Sequence, residues 1–211
     1  MANAIQLAIG DAVLTFIWIF ISSTLGLVTS EILKAFNLEF VTYNGNASFY
    51  AAGLGSDTLF SMAIRFPAQA LGAVGGAMAI KEVMPPKYLH MIGGPVLKVD
   101  LHTGAIAEGV LTFVITFLVL SIIIKGPRSE FIKTLMMSIS TVAVIIAGTA
   151  YTGPSMNPIL AYGWAYLDNW HHTWDQFYVY WICPFIGAIL AAWLFRVVFP
   201  PPQKVVKHKK A

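Results

Sequence analysis

The sequence predicts an all-α polytopic membrane protein. Two features of its make-up say so, and a third orients it. Of the 211 residues, 57% are hydrophobic and only 11% charged, against about 25% charged in soluble domains, and the mean hydropathy is +0.72. The apolar residues gather into five runs, each near the roughly 20 residues that cross a bilayer as a helix. The basic residues lie mostly between those runs and at the C-terminal end, where positive-inside anchoring puts them. A pI near 9 therefore reads as anchoring in a lipid bilayer and not as nucleic-acid binding. The single Cys183 lies inside an apolar run, which leaves no disulfide framework and no metal-ligand spacing. The N-terminal end lacks the basic residues of a cleavable leader.

Taken in order, the first run covers about 9–33, with Asp11 and Glu31 near its ends. A polar stretch follows, with an apolar insert at Phe49-Tyr50-Ala51-Ala52. The second run covers about 58–80 and contains Arg65, Pro67 and Gln69; Arg65 reads as a side chain snorkelling from a span end. A Pro- and Gly-rich loop occupies 81–104. The third run, about 105–124, carries Glu108 near its start, and a tight basic turn leads into the fourth, about 132–150. An aromatic segment with Asp168, His171, His172 and Asp175 precedes the fifth run, about 177–199, which ends in three prolines and a lysine-rich tail. Neighbouring histidines in such a loop read as solvated, without zinc-type spacing, so neither an enzyme nor a cofactor is expected.

Between the fourth and fifth runs lies the uncharged stretch Tyr151 to Tyr166. Asn157 is placed to cap a helix, its side-chain oxygen accepting from orphan N–H groups. Pro158 suits the first helical position because its missing N–H would be unpaired there. A short helix that starts at membrane depth turns a partly positive end inward. It is tolerated only where it lines a cavity or is covered by protein.

The chain also repeats itself. Asp11-Ala-Val-Leu-Thr-Phe-Ile-Trp18 matches Glu108-Gly-Val-Leu-Thr-Phe-Val-Ile115, and Ala70-Leu-Gly-Ala-Val-Gly75 matches Phe185-Ile-Gly-Ala-Ile-Leu190. Paired halves are the mark of duplicated channels and transporters. Gly72 and Gly187 occupy equivalent places, where a small residue lets helices approach closely.

An acid with Thr four positions later opening each half, an Asn-Pro half-helix and a Gly-rich last span together resemble the aquaporin (major intrinsic protein) family. Within it the likeness is to the plant small basic intrinsic proteins, through the basic tail, His90-Met-Ile-Gly-Gly-Pro95 and Tyr151-Thr-Gly-Pro-Ser-Met-Asn-Pro158. The resemblance implies an inverted-repeat helix bundle with re-entrant half-helices that passes water or small neutral solutes. It implies Asn157, Pro158 and Ile159 at the central constriction, and a selectivity region at Ile145, Pro154 and Leu160. Leu160 stands where most water channels place Arg. While one wall is missing, these three read equally as packed core. The resemblance further gives Asp11 and Glu108 structural roles, holding the re-entrant loops, and suggests tetramers of this chain or with related channels. The ending Lys207-His-Lys209-Lys210-Ala211 looks like a dilysine-type retrieval signal, implying the endoplasmic reticulum membrane with a cytosolic C-terminus.

The family pattern has six spans and two Asn-Pro motifs; here the first repeat is incomplete. Gly187 lies 30 positions after Asn157, and 30 positions before Gly72 stands Thr42, followed by Tyr43 and Asn44 where Asn-Pro is expected. The residues after it, through Gly53, still look like the rest of a half-helix; there the sequon Asn46-Ala-Ser48 is not expected to be glycosylated. Glu108 to Asn157 spans 49 positions and Asp11 to Thr42 only 31, a shortfall of 18, about one transmembrane helix. The expected organisation is one membrane domain over 1–211: a truncated first repeat at 1–80, a connecting loop at 81–104, a complete second repeat at 105–199 and the tail at 200–211. Five spans with a cytosolic C-terminus put the N-terminus on the far side, so the first span either inverts or fails to cross normally. Glycosylation acceptor tags at both ends test this. Inversion predicts modification at the N-terminus alone, and an N-terminus that stays cytosolic sinks it.

Overall fold

In an apolar setting each backbone N–H and C=O has to be satisfied within its own helix, which is why spans fold as helices. The computed structural model describes residues 48, 51, 59–91 and 93–200; the first expected span, with Asp11, lies outside them. Among the described residues there is helix and no strand. The order is α1 (Leu59–Val83), a short 3-10 turn at Pro86–Met91, α2 (Leu101–Lys125), α3 (Glu130–Gly148), α4 (Pro158–Leu167) and α5 (Trp174–Val198). A π-helical turn at Tyr178–Ile182 interrupts α5. Ser48 and Ala51, within the expected remnant of the first half-helix, are also helical.

Local chemistry sets the helix starts. Asp100 caps α2, its carboxylate accepting from the Thr103 N–H at 3.0 Å. Hydrogen bonds from Thr103 hold that carboxyl below its ordinary pKa. Ser129 caps α3, and Asn157 caps α4 with Pro158 next to it. Within the apolar helices the hydroxyls of Ser121, Ser140, Thr141 and Thr149 donate to the carbonyl four residues back, at 2.7–2.8 Å. That pairing satisfies them without water.

Among the described residues, α2, α3 and α5 are long and apolar enough to cross a membrane. α1 was expected to join them. It matches them in length and is less apolar on average, with Arg65, Pro67, Gln69 and three glycines in its run. Large apolar side chains point outward, among them Ile106, Ile146, Trp193 and Val197, as in a bundle whose solvent on that side is hydrocarbon.

α2 and α5 share the broadest interface. They come closest where Gly187 faces Gly109, since a Cβ at 187 would collide with the Gly109 carbonyl oxygen. Leu120, Ala192 and Phe195 form a buried cluster farther along, and Ala51 packs on it. Arg196 donates to the Ala51 carbonyl at 3.4 Å, tying the half-helix remnant to α5. The expected close approach at Gly72 is not made by any described residue, since a Cβ there meets nothing within 4 Å. By the repeat, the counterpart of Gly109 is Ala12, which lies outside the described residues. α1 instead meets α4 one residue on, where the Ala73 backbone lies 2.9 Å from the Cβ position of Gly163.

Gly187→Val should lower the thermal midpoint in detergent by several degrees, in keeping with an overpacking cost of about 1–3 kcal/mol. Val197→Ala, on the exposed side of α5, should leave it in place. Equal midpoints for the two variants would show that the Gly109–Gly187 approach does not set the α2–α5 distance.

Candidate functional site

The segment from Thr149 to Asn157 leaves the end of α3, turns back into the bundle and starts α4 there. Its turn is closed by the Tyr151 and Thr152 N–H groups donating to the Gly148 carbonyl at 2.9 and 3.2 Å. Gly153 has φ +56°, a conformation that glycine adopts without strain. Met156, with φ +51°, adopts it against its Cβ. What holds Met156 there is Glu108. The carboxylate is fully buried and accepts from the Thr152 hydroxyl at 2.8 Å, the Ser155 N–H at 2.9 Å and the Met156 N–H at 2.9 Å. Glu108 sits two turns inside α2, roughly 10 Å from its first residue, so these bonds pin the loop at that depth.

The structure puts the predicted cap where the sequence spacing placed it. The Asn157 side-chain oxygen accepts from the Ile159 N–H at 3.1 Å, and the Asn157 carbonyl accepts from the Ser155 hydroxyl at 2.7 Å. Asn157 is half-buried, while Pro158 and Ile159 are buried. With ten residues, α4 is about 15 Å long, half the length of a span. Its far end meets α1 through an exposed pair, Lys81 with Asp168 at 3.6 Å, of the kind that adds little stability.

Of the three candidate selectivity residues, Ile145 lies in the last turn of α3 and Pro154 packs on the end of that helix. Pro154 packs on Gly148, whose Cβ position lies 2.7 Å from the proline ring, and the Thr149 hydroxyl donates to the Ile145 carbonyl at 2.7 Å. Leu160 lies on α4, 48% exposed. None of the three carries a hydrogen-bond donor on its side chain.

Sequence reasoning missed two supports of this site. The Tyr180 hydroxyl, presented by the π turn of α5, donates to the Thr152 carbonyl at 3.2 Å; a Tyr inside an apolar span needs such a partner, and that was the available signal. The second support is the extended segment 93–98, which lies against the re-entrant loop. The Val96 N–H donates to the Thr152 carbonyl at 2.9 Å and the Lys98 N–H to the Tyr151 carbonyl at 2.8 Å. Gly94 lets it sit directly on the Trp164 side chain. His171 packs edge-on to Tyr162 and at a tilt on Tyr166, with ring centroids 5.9 and 4.9 Å away. Among the described residues no three His, Cys, Asp or Glu side chains come together as metal ligands.

The Major intrinsic protein family is matched over residues 56–195. The chain is 56% identical to Aquaporin SIP1-1 of Oryza sativa subsp. japonica over 242 aligned positions, covering 99% of this chain and 98% of that protein. It is 47% identical to Aquaporin SIP1-1 of Arabidopsis thaliana over 238 positions, covering 100% and 99%. In fold it is similar to the aquaglyceroporin from Plasmodium falciparum, with a TM-score of 0.62 at 16% identity over 75% of this chain and 72% of that one. The first alignment has 242 positions against 211 residues here, so at least 31 of them have no counterpart in this chain. Because both chains are aligned almost end to end, those positions are internal.

Removing the Glu108 carboxylate leaves three buried donors unpaired, at about 1–3 kcal/mol each. Glu108→Ala should therefore lower the thermal midpoint sharply and open the Thr149–Asn157 loop to protease, with Glu108→Gln intermediate because an acceptor oxygen remains. A Glu108→Ala protein as stable and as protected as the wild type would contradict this role.

Proposed function

The chain belongs to the major intrinsic protein family, with the small basic intrinsic proteins among its aquaporin relatives, and on that premise we propose that it is a channel subunit for passive movement of water or small neutral solutes. Family membership and the apolar helices make it an integral membrane protein of a channel family. The observation that carries the finer reading is the α4 start. A half-length helix begins inside the bundle, capped by Asn157 and held at that depth by Glu108. In this reading the Asn157 amide NH₂ donates to a passing solute while its oxygen keeps the cap. The positive end of the α4 dipole raises the energy of cations and protons at the same point. Ile145, Pro154 and Leu160 form an apolar selectivity region without the usual Arg. The protein would sit in the endoplasmic reticulum membrane with its lysine-rich tail in the cytosol, as a tetramer of this chain or with related subunits.

A second reading is favoured by a specific observation, the internal positions present in the relatives and absent here. Together with the missing first Asn-Pro motif they support a subunit lacking one pore wall, which would not conduct but would assemble with longer relatives and alter their trafficking.

Water flux into proteoliposomes, with insertion verified, separates the two. The channel reading expects flux above empty vesicles, reduced by Asn157→Ala. Correctly inserted protein with no flux would defeat it. The second reading then expects co-expression to change the membrane abundance of a longer relative.

A further inference from the structure

We infer that Lys98 is the cation-excluding, specificity-determining residue at the mouth of the pore, supplying the fixed positive charge that Leu160 does not. The inference rests on the reading that solute passes Asn157 and Ile145.

The position of Lys98 is built. Its own N–H and that of Val96 donate to the re-entrant loop, at Tyr151 and Thr152, while Pro95 is buried and Gly94 lies against Trp164. The backbone is thus fixed on the site. The side chain then crosses to α3, where its ammonium donates to the Thr149 carbonyl at 3.0 Å. Thr149 is itself bonded to the Ile145 carbonyl, so the charge stands one helical turn beyond Ile145, on the side where α3 gives way to the loop.

Charge accounting singles this residue out. No other Lys or Arg occurs between Lys98 and Lys125, or between Lys133 and Arg196, the stretches that supply the re-entrant loop, α4 and the candidate selectivity region. The ion pairs among the described residues are Lys81–Asp168 and Lys133–Glu130, and Lys98 is in neither. Asp100, two positions on, accepts from Thr103 as the α2 cap, and Glu108 is engaged with Thr152, Ser155 and Met156. Among the described residues the ammonium's one partner is the Thr149 carbonyl, which leaves its charge uncompensated by any acid. A fixed charge beside a narrow opening with low-dielectric walls repels like ions and leaves water unaffected. A merely structural Lys98, closing the C-terminal end of α3, would stabilise the fold without altering ion discrimination.

The test is made in proteoliposomes, reading water flux by light scattering and potassium leak by an indicator dye. Lys98→Gln should keep water flux within about twofold of wild type while the cation leak rises roughly tenfold, as removal of a unit charge near the path predicts; Lys98→Arg should keep both at wild-type levels. To bypass any folding defect, Lys98→Cys in a Cys183→Ser background carries the chain's sole thiol and is modified after reconstitution. A quaternary-ammonium thiol reagent should restore exclusion, and a sulfonate reagent should raise the leak further. Wild-type water flux with no change of leak in Lys98→Gln, or with both reagents acting alike, overturns the role of Lys98 and leaves the pore reading standing. Absence of water flux in the wild type overturns both.

Discussion

A chain that dips into an apolar bundle and turns back exposes amide groups that no helix can satisfy. Here one side chain resolves that problem. The Glu108 carboxylate takes two consecutive N–H groups, Ser155 and Met156, and the Thr152 hydroxyl. Every feature of the candidate site is downstream of those bonds: the depth of the loop, the left-handed turn at Met156 and the point where Asn157 can begin a helix. The backbone strain at Met156 is of a kind that costs about 1–3 kcal/mol and persists only when surrounding contacts over-determine it. Two bonds to one rigidly placed acid do so.

The supports around this core share a logic. Tyr180 and the 93–98 segment both reach the Thr152 carbonyl, from opposite sides of the chain order. With Glu108 they fasten one residue of the loop by three separate elements, α2, α5 and the connecting segment. Preorganisation of this sort lets a helix terminus work as an electrostatic element, because nothing has to rearrange when a solute arrives.

Much of this was legible in the sequence because it depends on local chemistry. The Asn157-Pro158 pair announces a helix start by itself, and apolar runs of span length announce helices. Glu108 stood out because an acid in such a run is costly without partners. What was not legible depends on long-range geometry. Nothing near Met156 in the chain demands a positive φ; the demand comes from an acid 48 residues away. The pairing of Val96 and Lys98 with the loop follows no pattern in either segment. The glycine stripe of α1 looked equivalent to that of α5, yet a glycine matters only through what faces it, and Gly187 has Gly109 while Gly72 faces no described residue.

α3 is fastened very unevenly. Its buried residues are Val144 and Gly148, both close to its C-terminal end, where Gly148 meets Pro154 and Thr149 receives Lys98. The opposite end, carrying Glu130 and Lys133, is held by nothing comparable among the described residues. At 19 residues the helix is a rod of about 28 Å, anchored most firmly at its C-terminal end. Leverage runs in one direction along such a rod. If Ile145 lines the pore as proposed, a small tilt imposed at the basic turn, as when the surrounding bilayer thickens or thins, turns that side chain about the anchored end and couples the aperture to membrane thickness.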